Sequence, residues 1–537
     1  MQRVGLSIVA SVLGWSGAAL ADEPAKDTFD IFEYRVLGNS VLPTIEVERA
    51  VLPLLGPGKT LDDVEHARTA LETLYHDKGY GTVFVDIPEQ DVGEGVVRLR
   101  VTEGTIERVR VTGARYFSNR EIRAAVPAAK TGTVPHLPTL QKELTDLNTQ
   151  TPDRNAVPVL KAGSRPGTVA LALTVKDELP LHGSVELNNQ YTSDTTELRA
   201  IASASYDNLF GRLDSLSFQY QTAPEEPDEA TVWAASYTAR LPDGKSKLAL
   251  FYVDSDSDVA TVGDAGATVP VLGKGEILGL RYVRPLVASA AQTHIFTAGV
   301  EYKDFAESVL SEKLLRTPIT YVNFSVGHTS AWRTERQQWS LMDSVGFGIR
   351  DLANDTEEFR DKRSEGNPNY WLLRSGATYA VRLPAEFSAS LIGVGQYAID
   401  PVISNEQFSI AGAEGVRGYL EAEQLGDVGA KVSFEFGLPQ LAVLDGRFKV
   451  SSFLFYDYGR ISHLEPLRNR DVRSPDFGKL LEEPDRTLRS FGAALLLNWS
   501  EHFNGSLVWA YPLVDGSTDP GTRKGDSRIH FVVRSTW

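Results

Sequence analysis

From residue 180 to the carboxyl terminus, the chain consists of short segments in which apolar and polar side chains alternate. In the segment LDSLSFQYQT, Phe218 falls on the apolar face and Gln219 on the polar face. The last segment, SRIHFVVRSTW, places Phe531 and Trp537 together on its apolar face. A strand with one face in lipid and the other toward a wet interior has this two-residue period and often carries aromatic residues near its ends. We therefore predict a membrane-spanning β-barrel.

The number of these segments and the lengths of their connections also fit a barrel. We count about sixteen segments, in which short turns alternate with long, polar and mostly acidic connections, as in outer-membrane barrels. A soluble β-sandwich or propeller is the competing architecture, but the region shows no blade repeat and every strand keeps a polar face. The predicted fold class is mainly β, with an antiparallel transmembrane β-barrel of about sixteen strands over residues 180–537.

The amino terminus has the features of a secretory signal peptide. A charged start precedes the apolar run VGLSIVASVLGWSGAAL, which ends in the small-x-small cleavage signature ALA. We expect residues 1–21 to be removed, so that the mature chain begins near Asp22 and leaves the cytoplasm. No later stretch offers the ~18 uninterrupted apolar residues of a membrane-spanning helix. An acidic exported protein of this kind is either soluble or embedded in an outer membrane.

Two similar modules precede the barrel, and we place them at residues 22–103 and 104–179. The first reads as β-α-α-β-β, and its segment TLDDVEHARTALETLYHDKGYG has the apolar spacing of an amphipathic helix. Thr60 is the predicted N-cap of that helix, and Gly79 its stop. The spacing predicts a small α+β domain.

The second module repeats the first. Its opening segment, IERVRVTGARYFSNREIRAAVP, places Gly113 where the first module has Gly38. Ser118 and Glu121 have the spacing of a capping box at the start of a helix. The repeat period of about 75 residues is too long for a solenoid unit. Two copies of one α+β domain are therefore predicted ahead of the barrel.

Several stretches resemble chemical sites but lack essential residues. Asp254, Asp256 and Asp258 resemble a calcium loop, yet Val259 occupies the position of the turn glycine and no glutamate closes the loop. The segment GPGKT resembles the end of a phosphate loop without its first glycine. The chain has no cysteine, no HExxH pair and no GxSxG elbow in the barrel. We therefore predict no enzyme activity, no metal site, no cofactor and no nucleotide.

The net charge of −17 argues against a nucleic-acid-binding protein, which needs a basic face. A different feature suggests a site. In AGAEGVRGYLEAE, Arg417 stands between Gly415 and Gly418, with Tyr419 beside it. Glycines allow a tight backbone turn that can aim a long cationic side chain. A solvated turn is the alternative interpretation of these residues taken alone.

Taken together, these features resemble the TpsB transporters of two-partner secretion, which belong to the superfamily of outer-membrane proteins with POTRA domains and a barrel. The resemblance covers essentially all of the mature chain. Its most specific parts are two motifs. The first is Val416-Arg417-Gly418-Tyr419 in a late loop, and the second is FYDYG, which supplies Phe455, Asp457 and Gly459 of the F-x-D-x-G strand motif.

The resemblance implies a fold, a partner and a site. The two modules would be periplasmic POTRA domains that capture an unfolded exoprotein, typically of hemolysin or adhesin type, and the barrel would conduct it to the cell surface. The glycine-arginine loop would fold into the lumen, where Arg417 would pair with Asp457. Glu435 should point inward by alternation and is a second candidate partner. Trp537 and Phe531 resemble the aromatic carboxyl-terminal signal read by the barrel-assembly machinery, and lipids would surround the barrel.

One feature departs from the family. Many relatives carry a plug helix and a linker ahead of the first POTRA domain, whereas only DEPAKDTFD separates the expected cleavage site from the first strand. A helix of about nine residues cannot cross a membrane-thick pore. We expect the inserted loop to close the pore alone. Two alternative functions also stay open at this point, a membrane-assembly factor of the same superfamily and a passive porin.

Overall fold

The computed structural model describes residues 28–537 apart from several gaps. The gaps are residues 93, 194, 258, 265–266, 290, 307–317, 444–446, 467, 469–477, 481–482, 501 and 518–520. The chain forms two compact units and passes from the first to the second between Leu179 and Pro180. The predicted signal peptide and residues 22–27, on which the expectation of a missing plug partly rests, lie outside the described residues.

The first unit contains two modules with the same order of main elements. The first module comprises β1 Phe29–Ile31, β2 Glu33–Leu37, α1 Thr44–Val51, β3 Gly56–Lys59, α2 Leu61–Asp77, β4 Val83–Asp86 and β5 Val96–Glu103. The second comprises β6 Thr105–Thr112, α3 Asn119–Ala124, α4 Leu137–Asn148, β7 Arg154–Ala162 and β8 Thr168–Asp177. The sheet orders are β2-β5-β4 and β6-β8-β7, each with one parallel and one antiparallel pair.

The repeat extends to individual backbone positions. Gly38 and Gly113 both have positive φ, of 92° and 90°. A Cβ atom on Gly38 would lie 2.3 Å from the carbonyl oxygen of Val101, and one on Gly113 would lie 2.2 Å from that of Val175. Glycine is therefore required at both turns, because the backbone of the central strand passes too close for any side chain.

Helix α2 shows how the first module is stabilised. The backbone N–H of Thr60 donates to Asp63 Oδ2 at 2.9 Å, which fixes the start of the helix. Val64, Leu71 and Tyr75 are buried at 2%, 0% and 0% exposure and face the sheet. Each such apolar side chain contributes about 1.5–3 kcal/mol when fully buried.

The second module starts its first helix differently from the prediction. Ser118 makes no side-chain capping hydrogen bond at α3, so this half of the predicted capping box is wrong. The chain before the helix is held instead by the carboxylate of Asp177, which accepts the backbone N–H groups of Arg115, Tyr116 and Phe117. A carboxylate from the closing strand thus sets the entry into the helix.

The second unit is a closed antiparallel barrel with sixteen principal strands among the described residues. These strands are β9 Leu181–Asn188, β10 Arg199–Leu209, β11 Asp214–Thr222, β12 Thr231–Arg240, β13 Lys247–Asp256, β16 Gly275–Ala288, β17 Gln292–Phe305, β18 Ile319–Arg333, β19 Gln337–Gly348, β20 Trp371–Arg382, β21 Ser388–Ala398, β24 Val428–Gly437, β26 Phe448–Ser462, β27 Asp485–Trp499, β28 Phe503–Pro512 and β29 Arg528–Thr536. Strand β29 pairs with β9 and closes the barrel. The predicted barrel is confirmed.

Shorter elements accompany the barrel strands. They are the hairpin β14 Val259–Asp264 and β15 Ala267–Leu272, the pair β22 Phe408–Ser409 and β23 Leu425–Gly426, the short β25 Leu441–Val443, and helix α5 Thr356–Lys362. Asp254 and Asp256 belong to β13, whereas Asp258 lies outside the described residues. No helix among the described residues is long and apolar enough to cross a membrane.

The alternation seen in the sequence is the alternation between the two barrel faces. Phe218 is 55% exposed on the outer wall of the barrel. Its Cα partner on β10 is Ala204, whereas the next residue, Gln219, is paired with Ser203. Because the side-chain period of a strand is two residues, Phe218 and Gln219 point to opposite faces.

The two ends of the barrel differ in the lengths of their connections. The chain enters β9 at the end that carries short turns, and long loops join the strands at the other end. Three of these long loops matter below. We call them loop 5 (residues 349–370, with α5), loop 6 (residues 399–427, with β22 and β23) and loop 8 (residues 513–527).

Near the long loops, the barrel interior holds a packed apolar core beside buried charged side chains such as Glu406, so protein fills part of the expected wet interior. Val402 and Ile403 of loop 6 pack in one core with Phe359 of loop 5 and with Phe305 and Tyr321 of the wall. Phe359 is 1% exposed. Loop 5 contributes Phe359 to the same packed core, whereas the expectation that the inserted loop closes the pore alone stays a prediction.

Candidate functional site: the contact of loop 6 with the barrel wall

Loop 6 folds back into the barrel and forms a narrow tip around the sequence AGAEGVRGY. Gly412 and Gly418 adopt positive φ angles of 110° and 95°, which residues with a Cβ atom rarely adopt. At the base of the tip, the backbone N–H of Val416 donates to the carbonyl of Ile410 at 2.7 Å. The tip therefore turns tightly and presents Arg417 to the wall.

The guanidinium of Arg417 binds side chains of β24 and β26. Its Nε donates to Asp457 Oδ2 at 2.8 Å and its Nη2 to Asp457 Oδ1 at 2.7 Å. Two parallel hydrogen bonds of this kind fix the plane of the guanidinium as well as its position. Its Nη1 also donates to Glu435 Oε1 at 2.9 Å, and Nη2 donates to Ser433 Oγ at 2.6 Å. We call these contacts the arginine anchor.

The arginine anchor also holds the backbone of the loop. The backbone N–H of Arg417 donates to Asp457 Oδ2 at 3.0 Å. Asp457 is 1% exposed and Arg417 is 8% exposed. Removing one member of a buried, hydrogen-bonded ion pair costs roughly 3–5 kcal/mol, whereas an exposed pair is worth about 0–1 kcal/mol. The anchor therefore belongs near the strong end of this range.

Phe455 completes the environment of the arginine. The Cζ atom of Arg417 lies 3.6 Å from the centroid of the Phe455 ring. A cation over an aromatic face gains about 0.5–2 kcal/mol, and more when water is excluded. Phe455 and Asp457 occupy alternate positions of β26 and therefore share its inner face. The F-x-D spacing thus supplies a ring and a carboxylate to the same guanidinium.

Gly459 explains the glycine of the same motif. A Cβ atom at this position would lie 2.8 Å from Val416 Cγ2 and 3.1 Å from Ile410 Cβ. Val416 and Ile410 are both 0% exposed. The absence of a side chain at Gly459 lets the loop tip pack directly on the strand.

The last two residues of the loop motif contact the strands on the other side of the tip. The backbone N–H of Gly418 donates to His530 Nε2 at 2.9 Å. The hydroxyl of Tyr419 lies 2.9 Å from the carbonyl oxygens of both Arg489 and Val514, which share its single hydrogen. The tip is therefore held by β24, β26, β27, β29 and loop 8 together.

The predicted carboxyl-terminal residues lie elsewhere, at the barrel seam. The backbone groups of Trp537 and Gly183 exchange two hydrogen bonds of 3.1 Å. A Cβ atom on Gly183 would lie 2.5 Å from Trp537 Cζ2, so the indole covers this glycine. Trp537 is 59% exposed, and Phe531, on β29, shares its outward face by alternation. Their role as an assembly signal stays a prediction.

Sequence reasoning missed two residues of the site. Ser433 stands two positions before Glu435 and therefore shares its inward face, which is a signal that alternation could have given. His530 also falls on the inward face of β29, but nothing in its own segment indicates that its partner is the backbone of Gly418. Tertiary contacts decide that pairing.

The side chains of Arg417, Asp457, Glu435 and Ser433 bind one another and hold the loop against the wall. Arg417 is a permanent cation, and its partners are carboxylates, a hydroxyl and an aromatic face. Among the described residues, no group of three or more histidine or acidic side chains could hold a metal ion. The arrangement fastens loop 6 to the barrel wall through an ion pair and hydrogen bonds.

Comparison with protein families identifies this architecture. The family described as haemolysin secretion/activation protein ShlB/FhaC/HecB matches residues 167–473, more than half of the chain. The chain belongs to this family. A second match, to the ShlB-type POTRA domain, covers residues 29–104, which contain the first module. Members are outer-membrane β-barrel proteins with periplasmic POTRA domains. Because the chain passes from the modules into β9 at the end of the barrel with the short turns, that end faces the periplasm.

Individual relatives share a low level of identity over most of the chain. The outer membrane transporter CdiB of Dickeya dadantii is 24% identical over 388 residues, which are 69% of this chain and 65% of that protein. The matched part is thus just under two thirds of the length of this relative. The heme/hemopexin transporter protein HuxB of Haemophilus influenzae is 22% identical over 442 residues, which are 80% of this chain and 76% of that protein.

Solved structures support the fold. CdiB from Escherichia coli superposes with a TM-score of 0.59 at 19% identity, over 97% of this chain and 93% of that chain. BamA from Haemophilus ducreyi lacking POTRA domains 1–3 gives a TM-score of 0.55 at 14% identity, over 95% of this chain and 100% of that chain. At these identities the likeness shows a common fold and nothing about cargo.

Proposed function

We propose that the chain is an outer-membrane transporter that captures an unfolded exoprotein with its two periplasmic modules and passes it through the barrel to the cell surface. Membership of the secretion/activation family supports this function, as do relatives that are named as transporters. The exoprotein would be of hemolysin or adhesin type, and the transport would involve no chemical catalysis by the chain.

The second module offers a strand edge for capture. Strand β7 lies at the edge of its sheet, next to β8. Asn148 of α4 binds both the N–H and the C=O of Ala156, so this residue points its backbone groups outward. By alternation, Pro158 and Leu160 are the next residues whose backbone groups point away from β8. Because Pro158 faces this open edge, its missing N–H removes no hydrogen bond from the β7–β8 ladder. An extended polypeptide could add to the edge at Leu160 by main-chain hydrogen bonds that tolerate many sequences.

The observation that supports the proposal most directly is that loop 6 folds into the barrel and is fastened there by the arginine anchor. A passive porin needs an open aqueous lumen, whereas here loops 5 and 6 form a packed core inside the barrel. A closed barrel with a reversible fastening suits a transporter that opens only for its cargo. Folding of the cargo outside the cell would supply the free energy, since no ATP is available there.

A comparison of secreted proteins tests the proposal and does not require the cargo to be identified first. Surface and culture-medium proteins are compared between cells that contain the wild-type chain, lack it, or carry Arg417→Ala. We expect at least one large polypeptide to require the wild-type chain and to be strongly reduced with Arg417→Ala at equal barrel levels. The control is Arg523→Ala, at an exposed arginine of loop 8. Identical protein profiles with and without the chain would rule out a secretion function.

The capture step has its own test. Leu160→Pro removes an outward-facing N–H of β7 that lies outside the ladder with β8, and Leu160→Ala at the same position keeps that N–H. We expect the proline variant to reduce secretion and the alanine variant to retain it. Equal secretion by the two variants would show that this edge is not used.

A further inference from the structure

The first half of loop 6 carries a buried carboxylate that lies outside the arginine anchor. The side chain of Glu406 is 1% exposed. Its Oε1 atom accepts hydrogen bonds from Lys303 Nζ at 2.7 Å and from the hydroxyl of Tyr321 at 2.8 Å. Its Oε2 atom accepts from Arg374 Nη2 at 3.2 Å. Three donors from the barrel wall thus converge on one loop carboxylate.

The same residue is held through its backbone. The carbonyl oxygen of Glu406 accepts a hydrogen bond from Gln396 Nε2 at 2.9 Å and another from Arg374 Nη2 at 3.2 Å. A wall that binds both the side chain and the main chain of one loop residue fixes its position closely. This is the pattern of contacts that Asp457 makes with Arg417 in the arginine anchor.

The charges around Glu406 are arranged to receive it. Lys303 is 8% exposed and lies 3.2 Å from Glu301 Oε2, and Arg281 lies 3.0 Å from Glu301 Oε1. Without Glu406, Glu301 would be the single carboxylate beside two cations, Lys303 and Arg281. Arg374, which binds Glu406, adds a third positive charge. The carboxylate of Glu406 compensates this buried positive charge, which would otherwise be costly to keep out of water.

The two groups of contacts lie on different parts of the wall. Glu406 is held by β17, β18, β20 and β21, whereas Arg417 is held by β24 and β26, and the adjacent Gly418 by β29. In the closed strand order, β21 and β24 are neighbours, so the two sets of strands are adjacent but share no strand. Loop 6 therefore runs along the inside of the barrel from one attachment to the other.

We propose that Glu406 is a second positioning residue for loop 6, and that its contacts with Lys303, Tyr321 and Arg374 form a glutamate anchor that keeps the loop in the barrel independently of the arginine anchor. The inference rests on the proposed role of loop 6 in closing the barrel. Loss of the arginine anchor releases only the tip, while Val402 and Ile403 stay packed in the core. Full opening requires both anchors to break.

Single-channel recording in planar bilayers tests the glutamate anchor with two matched pairs of variants. Glu406→Gln removes the charge, and Glu414→Gln makes the same change at an exposed position of the same loop, whose backbone carbonyl accepts a bond from Lys431. Tyr321→Phe removes one hydroxyl donor, and Tyr370→Phe removes an equally buried hydroxyl that donates to Asn323 instead.

We expect Glu406→Gln to raise the open probability about tenfold, because a hydrogen bond to a charged group is worth enough to shift an equilibrium by that factor. Tyr321→Phe should produce a smaller increase, and the two control variants none. Heat-modifiable mobility reports whether each barrel assembles. If Glu406→Gln fails to assemble, the open probabilities of Tyr321→Phe and Tyr370→Phe are compared instead. A higher value for Tyr321→Phe supports the glutamate anchor, and equal values overturn it.

Combination with Arg417→Ala separates this inference from the function on which it rests. Independent anchors predict that the effects of Glu406→Gln and Arg417→Ala multiply in the double variant. If Arg417→Ala opens the channel but Glu406→Gln and Tyr321→Phe behave like their controls, the glutamate anchor is overturned and the closing role of loop 6 stands. If deletion of residues 412–420 also leaves the channel unchanged, the closing role itself fails.

Discussion

Inside the barrel, Arg417 of loop 6 binds Asp457 of β26 through two parallel hydrogen bonds of 2.8 and 2.7 Å. A third hydrogen bond of 3.0 Å joins Asp457 to the backbone N–H of Arg417. The rest of both motifs supports this pair. Phe455 covers the guanidinium, and Gly459 leaves room for the loop tip. Arg417, Phe455, Asp457 and Gly459 therefore each have a physical role in fastening loop 6 to β26.

The space at Gly459 gives a first prediction. Gly459→Ala should displace the loop tip, because the new Cβ atom would lie 2.8 Å from Val416. We expect a higher open probability in planar bilayers with unchanged barrel assembly. Gly505→Ala is the control, since the nearest atom to its Cβ is 3.7 Å away. Equal channel behaviour of the two variants would show that the tip does not depend on this contact.

The strand register gives a second prediction. Phe218→Arg should hinder membrane insertion, because a charge on the lipid face costs about 2–4 kcal/mol at the bilayer midplane. Phe531→Arg should do the same, whereas Gln219→Arg should be tolerated because it faces the interior. Heat-modifiable mobility of membrane fractions measures insertion. Equal levels of all three variants would contradict the assignment of faces.

The barrel could be predicted from sequence because its signal is local. Alternation with a period of two sets which residues face lipid, and a slip of one residue would expose the whole polar set. Alternation therefore predicts the correct faces for Phe218, Gln219 and Glu435. The packing of glycine motifs could be expected only through the family resemblance, since the partners of Arg417 lie far along the chain.

The parts that sequence reasoning missed depend on distant contacts. Loop 5 reads as a polar, acidic segment, and its single buried phenylalanine, Phe359, gives no periodic signal. The donors to Glu406 are separated from it by 103 residues for Lys303, 85 for Tyr321 and 32 for Arg374. Only the closure of the barrel brings these residues together.

The packing of loop 5 gives a third prediction. Deletion of residues 412–420 should raise the single-channel conductance, but only partly, because Phe359 and α5 remain in the core. Replacing residues 356–362 by a glycine-serine segment in that deletion variant should raise the conductance further. The same replacement in the wild-type chain is the control for loop 5 alone. A full-sized pore after the first deletion would show that loop 6 closes the barrel without help.

The seam gives a fourth prediction. Deleting Trp537 removes the two hydrogen bonds to Gly183 and uncovers that glycine. We expect less assembled barrel and more degradation in the periplasm, whereas Trp537→Phe should assemble better because it keeps the backbone pairing and an aromatic ring. The amounts of folded and degraded protein are compared by heat-modifiable mobility. Normal levels of the deletion variant would contradict a role of Trp537 in assembly.

A double-mutant cycle in which secretion is measured decides whether Arg417 and Asp457 act as one contact. Secreted exoprotein is measured for Arg417→Ala, Asp457→Ala and the double variant at matched barrel levels. Each single change should reduce secretion sharply, because it leaves a buried charge without its partner, at a cost of up to roughly 3–5 kcal/mol. The double variant should be little worse than either single variant, since both changes remove the same contact. If the two single losses multiply in the double variant, the residues act independently and the arginine anchor does not hold loop 6.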